Sequence, residues 1–237
     1  MLRGLEAYIL GPERKHQIET RARALRWEIF DQSEQFWPGR KPRGLEVADP
    51  EIAATVLGVT FQYHQQLSFA LADGRYRSAG LLDRRRAIIM VAEEFGLQVA
   101  RFTAAHELGH WLLHDRLLQH RDAPIRGIER NARDLQEREA DYFAACFLMP
   151  RDYLIKMFFT RFPSDGPLEI NDTSAYYLRP FETELLLYPP ENSLVREKAL
   201  AMATSFGGRH FDSLAAMFKV SVETMAIRIR ELGLVKR

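Results

Sequence analysis

At 237 residues with a formal net charge of +1, the chain is long enough for one large domain or a core domain with small additions, and no global field draws it toward nucleic acid or anionic lipid. A 46% hydrophobic share supplies a core, yet no charge-free apolar run reaches the roughly eighteen residues that would span a bilayer, so no membrane is expected. The one cysteine, Cys146, excludes an intramolecular disulfide and is read as core packing; residues 1–30 are too charged for a signal peptide, and the expected location is cytoplasmic.

In chain order, Ile18, Leu25, Ile29 and Phe36 recur near helical spacing and predict a helix over 13–36, broken by Pro38-Gly39 and Pro42. Pro50 opens a shorter helix over 51–57, closed by Gly58. Strands are predicted over 59–63, 67–71, 78–82 and 87–91, with Asp73-Gly74 as the hairpin turn between the second and third, forming a small antiparallel sheet. Long helices follow over 97–118 and 133–148, the latter stopped by Pro150. Residues 161–192 contain Pro163, Gly166, Pro167, Pro180, Pro189 and Pro190 and read as mostly loop. The expected organisation is an N-terminal helical segment over 1–50, a core over 51–160, an irregular insertion over 161–192 and a helical tail over 193–237.

The chemistry concentrates in His106-Glu107-Leu108-Gly109-His110. Residues four apart on a helix project from one face a turn apart, so both imidazoles can reach one tetrahedral zinc at roughly 2.0–2.1 Å. Glu107 is then placed to act on an attacking water as general base. Phe102, Ala104, Ala105, Leu108, Leu112 and Leu113 make this helix too apolar for a solvated face, so a charge there needs a buried purpose. The third ligand is sought on the next helix, in Glu137-Arg138-Glu139-Ala140-Asp141. Glu137 and Asp141 stand four apart, as in gluzincin sites, where a glutamate completes the ligand set and an acid one turn later accepts a hydrogen bond from a ligand histidine. Glu139 points roughly 160° away from Glu137 and, with Arg138, is read as a solvated helix start. His114 is read as packed or bonded near the helix end, and His16, His64, His120 and His210 are not assigned to the metal.

The segments from Arg101 to His114 and from Glu137 to Pro150 resemble the two motifs of the ImmA/IrrE-type metallopeptidases, and the stretch from Ala53 to Gly58 is similar to that family's lead-in to its first strand. The family usually has Asn where Asp141 stands and Leu where Phe147 stands, both conservative changes for these roles. The resemblance covers about residues 51–159. It implies an α+β, minimal zincin-like fold: a small antiparallel sheet packed on the helix carrying the two ligand histidines and on a second ligand helix, with a helical tail. It also implies a zinc cofactor on His106, His110 and Glu137, Asp141 behind a ligand, Glu107 in catalysis, and endopeptidase activity. The implied partner is a protein substrate, often a helix-turn-helix transcriptional repressor.

The tail from Phe211 to Leu234 resembles a helix-turn-helix, with Val220-Ser221 as turn and cap and Met225, Ile229 and Leu232 packing inward. Arg228, Arg230, Lys236 and Arg237 could meet phosphates, although similar tails accompany the peptidase core in this family, and protein contact is the preferred reading. Two rival functions follow: a DNA-binding regulator with a structural or metal-sensing zinc domain, and an interaction module, such as half of a toxin–antitoxin pair, without turnover.

Overall fold

Helix α1 (Pro12–Asp31) starts on a proline, whose fixed φ and missing N–H suit a first turn, and buries Ile18, Ala22, Leu25 and Ile29 along one stripe. It belongs to a computed structural model that describes residues 10–71, 74–114, 120–121 and 135–236. The expected helix over 13–36 is interrupted at Gln32, leaving a separate turn, α2 (Ser33–Phe36). Contacts group the residues into two compact units, Met1–Leu148 and Met149–Arg237.

In the first unit, α3 (Pro50–Val56) is capped by Asp49, whose carboxylate accepts from the Glu51 and Ile52 amides. The strands are β1 (Thr60–His64), β2 (Leu67–Leu71), β3 (Gly74–Ser78), β4 (Gly80–Asp83) and β5 (Ile88–Ala92), followed by α4 (Leu97–Leu113), β6 (His120–Arg121) and α5 (Leu135–Leu148). They correct the expected antiparallel sheet. The order is β1-β5-β4-β6, with β1 parallel to β5 and the other neighbours antiparallel, while β2 and β3 form a separate hairpin. The reason lies in the connections. A parallel pair needs a long crossover, and residues 65–87 supply it by making the β2–β3 hairpin and β4 before returning. The expected strand over 78–82 is divided at Ala79 between β3 and β4; of the Asp73-Gly74 turn, Asp73 lies outside the described residues, and Gly74 pairs with Leu71.

Strands β4 and β5 pack on α4, which in turn packs on α5, and buried Leu82, Ile89 and Val91 share the sheet face of Gly80, which lies against Thr103 and Glu107 of α4. On α5, Ala140, Phe143, Ala144 and Phe147 recur at three- and four-residue steps and are all fully buried. Cys146 lies in this core. Gly109 sets how closely the two helices approach, because a Cβ there would stand 3.0 Å from Ala140 Cα and 3.1 Å from its carbonyl oxygen. The described part of α4 ends at Leu113 with His114 in extended backbone, short of the expected 118; residues 115–118 lie outside the described residues. Arg84, from the β4–β5 turn, donates to the carbonyls of His110, Trp111 and His114 at this end of the helix, where the His114 N–H also reaches the His110 carbonyl. Among the described residues no helix is long and apolar enough to cross a membrane.

The second unit holds α6 (Arg151–Arg161), α7 (Asp172–Leu178), α8 (Thr183–Leu187), α9 (Val195–Met202), the short pair β7 (Ser205–Phe206) and β8 (Arg209–His210), α10 (Leu214–Phe218) and α11 (Val222–Glu231). Residues 161–192 are thus less irregular than expected. Their prolines flank α7 and α8 instead of interrupting them, and Asn171 and Ser174 form a reciprocal capping box on α7. In the tail, Ser221 caps α11, Met225 and Ile229 are buried, and Leu232 is half-buried.

Candidate metal centre

Helix α4 presents His106 and His110 from one face, and α5 brings Glu137 across to them. The two Nε2 atoms stand 2.9 Å apart, Glu137 Oε2 lies 3.3 Å from His106 Nε2, and Glu137 Oε1 lies 3.4 Å from His110 Nε2. One ligand atom from each residue falls within 4.8 Å of the others. Atoms bound at about 2.0–2.1 Å to one tetrahedral ion stand about 3.3 Å apart, so the triangle has the size of a zinc ligand set. Two imidazole nitrogens and a carboxylate oxygen are also donors that suit this metal. Three buried or half-buried polar groups converge here.

Asp141, one turn beyond Glu137, places Oδ1 3.0 Å from His106 Nδ1. A carboxylate only accepts, so the Nδ1 of His106 carries a proton, which leaves Nε2 as the atom that would serve a metal ion in the triangle. Glu107 is fully buried beside Gly80, the first residue of β4, where an added Cβ would stand 2.7 Å from Glu107 Oε1 and 2.5 Å from Thr103 Cγ2. Only a glycine leaves that carboxylate its room.

Glu139 was expected in solvent, and the structure corrects this. It is 6% exposed, joined to Arg14 of α1 through Nε at 2.7 Å and Nη2 at 2.6 Å, and to His114 Nε2 at 3.0 Å. Burial pushes its carboxyl up, but the hydrogen bonds from Arg14 and His114 outweigh it and hold the group below the usual carboxylate range. It does not join the ligand triangle, which contains Glu137 instead. His114 in turn places Nδ1 3.0 Å from His110 Nδ1. The sequence signal for this arrangement was the third histidine at four-residue spacing after His106 and His110.

With this geometry in hand, the comparison is decisive on family. A family model described as Peptidase_M78, IrrE N-terminal-like domain, matches residues 54–178, more than half of the chain. The chain belongs to this peptidase family. The ImmA/IrrE resemblance of the two motifs is thereby upheld, and membership implies a metallopeptidase that uses a metal ion. A comparison with curated proteins finds no match. The M78 match begins in α3, runs through the whole triangle and ends at the last residue of α7; it leaves out α1.

The tail lies outside the match. There Arg228 is 1% exposed and bonded to Glu231 at 2.7 Å, and Arg230 donates to Glu197, Asn192 and Ser193. Glu223, Ile227 and Glu231 make up the outward face of α11.

Proposed function

We propose that this M78 family member is a zinc-dependent endopeptidase of zincin-like architecture that cleaves a protein substrate in the cytoplasm. The observation that carries the reading is the triangle of His106, His110 and Glu137, whose spacing and donor types fit a tetrahedral zinc. Zinc in this position would supply Lewis-acid polarisation of a peptide carbonyl and acidification of a water.

The chain's own residues do the rest. His106 and His110 offer Nε2 lone pairs, and Asp141 holds the His106 ring and its tautomer. Glu107, next to a ligand and surplus to a set of three, takes the proton from the attacking water and returns it to the leaving amine. Its burial against Gly80 favours this role, because it holds the carboxylate in one place beside the ligand helix face.

For the substrate we adopt a helix-turn-helix transcriptional repressor, on the strength of the family resemblance. The tail is read as a surface for protein and not for DNA. Of its four candidate cations, Arg228, Arg230 and Lys236 are ion-paired with Glu231, Glu197 and Glu169, and Arg237 lies outside the described residues.

Elemental analysis of chain purified without added metal should find close to one zinc per chain, and His110→Ala should lose most of it. Glu107→Gln should keep zinc but slow cleavage of a co-incubated repressor by about 10²–10⁴-fold. Full metal retention in His110→Ala sinks the ligand assignment, and unchanged cleavage by Glu107→Gln sinks the base.

A further inference from the structure

The two ligand histidines are supported differently. His106 meets a carboxylate directly, whereas His110 meets another imidazole, and beyond it lie Glu139 and then Arg14 of α1. Each link is 2.6–3.0 Å long, and His110, His114 and Glu139 are all buried.

The direction of this chain follows from its ends. A guanidinium only donates and a carboxylate only accepts, so Arg14 fills one side of Glu139 and the remaining bond must come from a His114 Nε2–H. A singly protonated His114 then has a bare Nδ1, which can only accept. His110 must donate to it from Nδ1, and its Nε2 is left with a lone pair facing Glu137 and His106. Reversing either link from Glu139 to His110 would set two N–H groups, or two lone pairs, against each other; the convergence of the His106 and His110 Nε2 lone pairs, 2.9 Å apart, is the arrangement a shared metal ion would relieve.

We propose that Arg14, Glu139 and His114 are positioning residues that fix the tautomer and ring orientation of His110, making α1 a working part of the metal site although it lies outside the family match. This rests on the reading of His110 as a ligand. A carboxylate one residue further away does for His110 what Asp141 does for His106. Loss of such an outer partner typically weakens metal binding 10–100-fold.

Zinc affinity of the full chain, measured by competition with a chromophoric chelator, tests this on four variants. His114→Ala and Arg14→Leu should bind zinc about 10–100-fold more weakly, and Arg14→Lys should recover part of the loss. Tyr142→Phe removes a 3.0 Å bond to Glu19 between the same two helices without touching the chain, and should bind like the parent. Affinities of His114→Ala and Arg14→Leu within twofold of the parent overturn the proposal. So does an equal loss in Tyr142→Phe, which would make the effect one of helix docking alone. Imidazole ¹⁵N shifts of the unmodified, metal-free chain give a readout that needs neither a variant nor metal. A His114 proton on Nε2 is expected, and one on Nδ1 overturns the inference. A parent chain that binds no zinc would instead defeat the ligand reading, with the tautomer of His114 still measurable.

Discussion

Replacing Gly109 by alanine probes the distance between the two ligand helices. The new Cβ would stand 3.0 Å from Ala140 Cα, 3.1 Å from the Ala140 oxygen and 3.2 Å from Phe143 Cβ. Two of those atoms are backbone, so no rotamer change clears them and α5 itself must give by a few tenths of an ångström. Against this, alanine gains about 1 kcal/mol of helix propensity over glycine. Overpacking a core costs about 1–3 kcal/mol, and contact with unyielding backbone belongs in the upper half of that range. The net loss should therefore be about 1–2 kcal/mol, or roughly 2–8 °C in melting temperature for a chain of this size. The same movement carries Glu137 away from His106 and His110, so zinc affinity should fall with stability. Thermal unfolding by circular dichroism and chelator competition on the same samples read both quantities. A variant at least as stable as the parent, with unchanged zinc affinity, refutes the close-packing argument.

Gly80→Ala should leave zinc bound but slow substrate cleavage by about 10²-fold or more, since the new methyl claims the space of the Glu107 carboxylate; unimpaired turnover would show that Glu107 tolerates displacement. Asp141→Ala should weaken zinc binding about 10–100-fold in a competition titration, and Asp141→Asn less, with equal affinity in both variants and the parent counting against an orienting role. Arg230→Gln deprives buried Glu197 of its guanidinium partner and should lower stability by about 1–3 kcal/mol in a melting experiment. Loss of DNA retention at unchanged melting temperature would instead make Arg230 a phosphate contact.

Much of the triangle was legible because it depends on local periodicity. His106 and His110, then Glu137 and Asp141, each stand one helical turn apart, and the facing argument that separated Glu137 from Glu139 needs only the pitch of a helix. What could not be read depends on residues distant in the chain. Glu139 looked like a solvent group because its counter-charge, Arg14, lies 125 positions away. The apolar rhythm through Leu112 and Leu113 carried the expected helix past His114, whose backbone is extended and whose carbonyl is met by Arg84 from a different element. Arg230 looked available to phosphates until folding supplied Glu197, 33 positions away, whereas the partner of Arg228, Glu231, stands only three residues on and was a local signal left unread. The parallel pairing of β1 with β5 escaped notice for a related reason: strand spacing reveals neighbours in sequence, while Thr60 pairs with Ile88 across the whole β2–β4 excursion.

Cys146 sits in the ligand helix α5 at 3% exposure, with Arg26 holding its carbonyl at 2.8 Å. Being the chain's single thiol, it is a built-in clock for the opening of that helix. A thiol reagent can modify it only in molecules where α5 has lifted from its neighbours, so the labelling rate counts those excursions in the otherwise folded protein. If zinc bridges α4 and α5, it binds the closed form alone and lowers the open population by mass action. Free metal at 100 times its dissociation constant should then slow labelling about 100-fold, turning one buried sulfur into a gauge of metal occupancy.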